Sequence, residues 1–263
     1  MFILGFAGGF MAGMLGVGGG IIFVPFLHEI VKGHAEAADR VPYVLANSLA
    51  IVCVVGISGS IKQYKLKNTD IRASVVTGLS AICSSLLVSS LLKYFNINEP
   101  RLFNYVFILI LVLTAARILY GRIREKEEIE VLNMPKLGKF VPAGLFAGVI
   151  TSLTGLGGGI VMVPYFNRIL KLPIKFSTGL SLSVIPIITL PLLVFYIYNK
   201  PSVEVYPHMQ SGYIMWGAIL PIIIAAVVAA PIGVKTAQKL SSSTILTIFL
   251  VFIVITIIKT LWA

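Results

Sequence analysis

Charge is the scarcest commodity in this chain of 263 residues: only 12% are Asp, Glu, Lys or Arg, against about 25% in an ordinary soluble domain. Acidic residues number 10, histidines 3 and cysteines 2. That shortage leaves little to build an acid–base pair or a metal cluster from. Cys53 and Cys83 both fall within apolar runs with no histidine or second cysteine at ligand spacing, so they read as small apolar fillers, with no disulfide and no metal site expected. No His-Glu-x-x-His, Gly-x-Ser-x-Gly or paired buried carboxylate appears, which argues against an intramembrane enzyme and leaves no catalytic residue to name. A phosphate loop of the Gly-x-x-x-x-Gly-Lys-Ser/Thr type is also missing, so ATP-driven transport is not expected and no cofactor is implied. The start has no basic n-region ahead of its apolar run, so no cleavable signal peptide is expected.

What is abundant is apolar sequence. Hydrophobic residues make up 57% of the chain and the mean hydropathy is +0.97. The runs are long and continuous, unlike the short alternating segments of a membrane β-barrel, so the fold class is an all-α polytopic membrane protein. The net charge of +11 lacks the basic cluster and interleaved aromatics of a nucleic-acid footprint. It reads as positive residues fixing cytoplasmic loops. The partners expected are the lipid bilayer of the cell membrane and a small solute, and no nucleic acid; composition sets no oligomeric state.

One short stretch occurs twice. Residues 16–26 read GVGGGIIFVPF and residues 155–165 read GLGGGIVMVPY. Gly16, Gly18, Gly19, Gly20 and Pro25 recur as Gly155, Gly157, Gly158, Gly159 and Pro164, with Ile21 and Val24 matched as well. A copy at this separation predicts two similar halves. The halves are placed at 1–120 and 140–263, joined by a polar linker at 121–139. Four glycines in five residues hold a helix poorly, each costing about 1 kcal/mol relative to Ala, and the downstream prolines add a second expected break. In a bilayer, freed backbone survives only against protein or a wet cavity, and broken helices at matching places in two halves point to a transporter's binding site.

The duplicated G-x-G-G-G-x-x-x-V-P pattern, in a chain of this length, resembles the sulfite exporter TauE/SafE family of membrane permeases. The resemblance spans nearly the whole chain. It implies a secondary transporter for a small anion, sulfite or an organosulfonate. An anion channel, or a permease for a different small organic anion, is the alternative.

Spans are predicted at 41–61, 71–95, 101–120, 173–199 (interrupted by Pro186 and Pro191), 211–235 and 243–262. The broken elements lie at 2–31 and 140–170. Each apolar piece beside a break is shorter than the roughly 20 residues a crossing needs. Two arrangements follow. If each broken element crosses once, the halves are parallel and Lys and Arg divide twelve to nine between the two sides. If each is a re-entrant hairpin, the halves are inverted and the division is fifteen to six. The positive-inside rule favours the second, with linker 121–139 in the cytoplasm and both termini outside.

The expected binding site uses main-chain N–H groups at Gly16, Gly18, Gly19, Gly20 and Gly155, Gly157, Gly158, Gly159, near Pro25 and Pro164. Such groups at a helix start suit an anion, and glycine lets a ligand approach the backbone closely. Ala46-Asn47-Ser48-Leu49 is aligned with Ser177-Thr178-Gly179-Leu180, and Asn47, Ser48 and Thr178 are expected to face the substrate. The family's Thr-Ser-Leu pattern is departed from at Asn47 and Gly179.

Overall fold

The computed structural model describes residues 1–36, 39–95, 100–124, 134–202, 204–205 and 208–262. Residues 125–133, the middle of the expected linker, lie outside the described residues. The first half contains α1 (Phe2–Leu15), α2 (Gly20–Lys32), α3 (Arg40–Lys65), α4 (Ile71–Tyr94) and α5 (Pro100–Arg124). The second contains α6 (Val141–Thr154), the short α7 (Gly159–Pro164), α8 (Ile174–Tyr198), α9 (Trp216–Lys239) and α10 (Ser242–Trp262). Among the described residues, five helical segments are long and apolar enough to cross a bilayer: Arg40–Lys65, Ile71–Tyr94, Leu137–Thr154, Ile174–Tyr198 and Trp216–Lys239. The chain is therefore an all-α polytopic membrane protein.

Both glycine stretches interrupt helices as expected, but the prolines behave differently. α2 runs on through Pro25, whereas at Pro164 the chain passes from α7 into a single π turn, Tyr165–Ile169, closed by Leu170 N–H on Tyr165 O at 3.1 Å. α8 is continuous through Pro186 and Pro191 rather than interrupted there. Neighbouring helices compensate prolines inside membrane helices, and Pro186 lies against the small Gly56 of α3. The span expected from residue 211 begins at Trp216, because Gln210–Ser211 pairs with Ile214–Met215 in a two-stranded hairpin. Gly212, with φ +56°, makes the turn.

Most of the core is formed between the halves rather than within them. α1 has its most extensive packing on α9, α6 on α4, and α3 on α8, with α5 against α10. Small residues permit this. Gly5, Gly9 and Gly13, one helical turn apart on α1, meet the main chain of α9 at Ile222, Ala226 and Ala230. Gly144 and Gly148 on α6 meet the main chain of α4 at Thr77 and Ala81. At the third step Ser152 Oγ donates to Ser85 O at 2.8 Å. Close backbone approach of this kind drives helix association in lipid, where apolar burial gains nothing. The two sets are in register. Residues 139 apart on α1 and α6, such as Gly5 and Gly144, touch residues 145 apart on α9 and α4, such as Ile222 and Thr77.

Candidate functional site

Each helix that enters a glycine stretch ends in a left-handed glycine. Gly16 has φ +75° and Gly155 φ +69°, and their N–H groups close the preceding helices on Ala12 O and Thr151 O. Left-handed backbone continues at Gly18 (φ +79°) and Gly19 (φ +82°), and at Gly157 and Gly158 (both φ +74°). Only glycine adopts this conformation at little cost. The chain doubles back as a result. A Cβ added at Gly19 would lie 2.9 Å from Gly8 O, three turns upstream of the end of the stretch, and one at Gly158 would lie 3.0 Å from Ala147 O, the matching residue.

The following helices start on Gly19 O, which accepts from Ile22 and Phe23 N–H, and on Gly158 O, which accepts from Val161 and Met162 N–H. Among the described residues, no hydrogen bond of normal geometry takes up the main-chain N–H of Gly18, Gly19, Gly20 or Ile21, nor that of Gly157, Gly158, Gly159 or Ile160. All eight residues are buried. Orphaned buried N–H groups are rare in folded proteins, and turns of this kind can aim successive N–H groups into an anion-binding concavity.

The two stretches touch. A Cβ at Gly20 would lie 2.7 Å from Leu156 Cα, and one at Gly159 would lie 2.6 Å from both Gly16 O and Val17 Cα. Gly18 and Gly157 rest on the same two side chains, Val52 of α3 and Ile185 of α8. Ser48 Oγ of α3 donates to Gly155 O at 2.8 Å, and Ser181 Oγ of α8 donates to Gly16 O at 2.7 Å. Ser48 therefore corresponds to Ser181, not to Gly179, and the expected alignment of α3 with α8 is off by two residues. The Ser-Leu pair at 48–49, repeated at 181–182, is the signal that identifies Ser181 as the second clamp. Thr178 lies against Gly16, 2.6 Å from the Cβ position, with its hydroxyl turned to Lys175 O.

Asn47 is wholly buried and fully engaged. Its Nδ2 donates to Tyr43 O (2.7 Å) and Tyr213 O (2.9 Å), and its Oδ1 accepts from Met215 N–H (2.8 Å). It pins the hairpin that launches α9. Asp39 extends the same brace, accepting from Tyr213 Oη and Ser202 N–H, both at 2.8 Å. Burial pushes the Tyr213 hydroxyl above its ordinary range, and the Asp39 carboxylate adds to the shift. Leaving such groups without partners costs about 1–3 kcal/mol each. Asn47→Ala is therefore expected to lower unfolding stability by several kcal/mol, read as a drop in Tm, with a smaller effect on substrate KM. A KM effect without a Tm change would mean that Asn47 touches substrate instead.

Beside the paired breaks lies a cavity of about 400 Å³. Its rim carries Lys200 and Lys93, the latter hydrogen-bonded to Asn199 Oδ1. Its walls include Phe103, Phe195 and Tyr196, and it descends to Ser152 and Leu153, the last turn of α6 before Gly155. Leu45 lines the cavity and also packs on Gly155. The open space thus runs from a cationic rim to the edge of the second glycine stretch.

The sulfite exporter TauE/SafE family model matches residues 1–260. The chain is 26% identical over 243 residues to a probable membrane transporter protein of Methanocaldococcus jannaschii, covering 92% of this chain and 86% of the relative. It is 21% identical to the probable membrane transporter protein YunE of Bacillus subtilis, covering 96% and 93%. A probable membrane transporter protein of Haemophilus influenzae is 24% identical, covering 98% and 95%. No solved structure matches the chain.

Proposed function

The chain belongs to the sulfite exporter TauE/SafE family of membrane transporters, and from that premise we propose that it is a secondary transporter for a small anion, sulfite or an organosulfonate, held between its two glycine breaks. The observation that carries this reading is the set of buried main-chain N–H groups at Gly18–Ile21 and Gly157–Ile160, which make no hydrogen bond of normal geometry among the described residues. An oxyanion supplies several acceptor oxygens and a negative charge, which matches donors without counter-charges. Ser48 and Ser181 hold the two stretches in shape, Asn47 braces the launch of α9, and Thr178 packs behind Gly16.

The halves are proposed to be inverted, each with a re-entrant hairpin and three crossings, so that Leu137–Thr154, though long and apolar enough to cross, stops within the bilayer at Gly155. The doubling-back at Gly19 and Gly158 and the crosswise packing of α1 on α9 and α6 on α4 support that arrangement. It puts linker 121–139 in the cytoplasm and the cationic rim outside. A carrier is favoured over a channel, since the cavity lies on one side of the breaks while the breaks themselves are in direct contact.

Purified protein in liposomes is expected to take up sulfite or sulfoacetate in preference to sulfate and a carboxylate control, with saturable counterflow. Uptake that never saturates and shows no counterflow would make it a channel. Equal rates for a neutral solute would end the anion reading.

A further inference from the structure

Among the described residues, two buried side-chain amide nitrogens have no hydrogen-bond partner: Gln63 Nε2 and Gln238 Nε2. Such atoms are few in native proteins and each demands an explanation. Ser89 lines the open cavity, beside the Tyr196 phenol. The two glutamines are far from it in sequence, yet the correspondence between the halves relates them to it.

That correspondence is set by contacts. Ser48 and Ser181 make the same bond to the opposite break, which places α3 and α8 133 residues apart. The glycine steps of α1 and α6 place α4 and α9 145 residues apart. By the first register Gln63 occupies the position of Tyr196. By the second, Gln238 occupies the position of Lys93. Both Tyr196 and Lys93 line the cavity. The matching region near Gln63 and Gln238 is at the other ends of α3 and α9, and there it is filled. The α3–α4 turn lies on α8: Asn68 O meets Gly179, and Thr69 Oγ1 donates to Ser183 Oγ at 2.9 Å. Asn68 Nδ2 also donates to Gln63 Oε1 at 3.2 Å, which leaves the Gln63 amide protons unused. Lys175 Nζ donates to Gln238 O at 2.8 Å, bringing a cation to the C-terminal end of α9.

We propose that Gln63 and Gln238 are anion-binding residues of a second cavity on the opposite face, closed in this structure by the α3–α4 turn and opened when that turn leaves Gly179 and Ser183. This rests on the anion-carrier reading above. Two amide donors and a lysine suit the same oxyanion as the glycine N–H groups, and they give it a place to rest after it passes the breaks. The open cavity and the closed region would then be the two ends of one route.

The test measures sulfite KM separately from each face in uniformly oriented proteoliposomes. Gln63→Leu and Gln238→Leu are each expected to raise KM about tenfold for sulfite on the face of the α3–α4 turn, the usual size of a lost hydrogen bond to a charged group. Maximal rate, and KM from the cavity face, should stay within threefold. Equal rises on both faces would indicate a merely structural role, and no rise on either would refute binding; both overturn the proposal. Labelling gives a second measurement. In a Cys53→Ala/Cys83→Ala background, Gln238→Cys should react with a charged maleimide from the turn face, and sulfite should slow that reaction at least fivefold. Unchanged labelling with sulfite overturns the proposal. If the wild type carries sulfite while these variants behave normally, this proposal alone fails; if the wild type moves no anion, the carrier reading fails and this proposal with it.

Discussion

Gly19→Val and Gly158→Val together are expected to reduce sulfite transport to less than about a hundredth of wild type, while the protein still inserts and remains monodisperse. Both positions are left-handed, φ +82° and +74°, a conformation that costs an L-residue roughly 1–2 kcal/mol and a β-branched one more. The added Cβ would also press on the returning helix, 2.9 Å from Gly8 O in one half and 3.0 Å from Ala147 O in the other. The backbone would have to rotate, and the N–H groups would turn with it. Gly33→Ala is the matched control. Its φ is −88° and nothing lies within 4 Å of the Cβ position, so its transport should equal that of wild type. Liposome uptake, with size-exclusion profiles of each variant, checks the pair.

Ser48→Ala and Ser181→Ala have the second-largest expected effect. Each hydroxyl serves the carbonyl of a buried left-handed glycine across the boundary between halves, at 2.8 and 2.7 Å. Removing it leaves that carbonyl without its donor, at about 1–3 kcal/mol. About 1.4 kcal/mol is a tenfold change. Each single variant should therefore lose about tenfold in transport, with a lowered Tm. The double variant should depart from the roughly hundredfold loss of two independent sites, because the two stretches are in contact and neighbouring sites couple. The singles should agree within a factor of three. A large asymmetry would contradict the equivalence of the two breaks.

Much of this fold was legible in the sequence because hydropathy and glycine repetition are local signals. α3, α4, α5, α8 and α10 begin and end within a few residues of the expected spans, and both glycine stretches break their helices. The failures are instructive for the same reason. Pro25, Pro186 and Pro191 read locally as breaks, but helices packed around them keep the chain helical. α9 starts late because Asn47 holds Met215 N–H, a partner 168 residues away in sequence. That distance also hid the use of Asn47, whose polar atoms are spent on the backbone of the hairpin and of its own helix rather than left open. Ser181 is hidden in the sequence because aligning residues 46–49 with 177–180 sets Ser48 against Gly179, two positions short of the serine that makes the matching bond. The cavity has no sequence signature. It is the space left where Leu45, Ser152, Phe103 and Tyr196, drawn from four helices, fail to meet.

Main-chain donors at two glycine breaks as the seat of a negative solute can be tested by crystallography with selenite, a heavier sulfite analogue. The anomalous peak is expected about 4 Å from the nitrogens of Gly18–Ile21 or Gly157–Ile160, with selenite oxygens at the usual N–H···O distance of about 3 Å. A peak seated elsewhere at full occupancy, with those nitrogens bonded to protein, would contradict it.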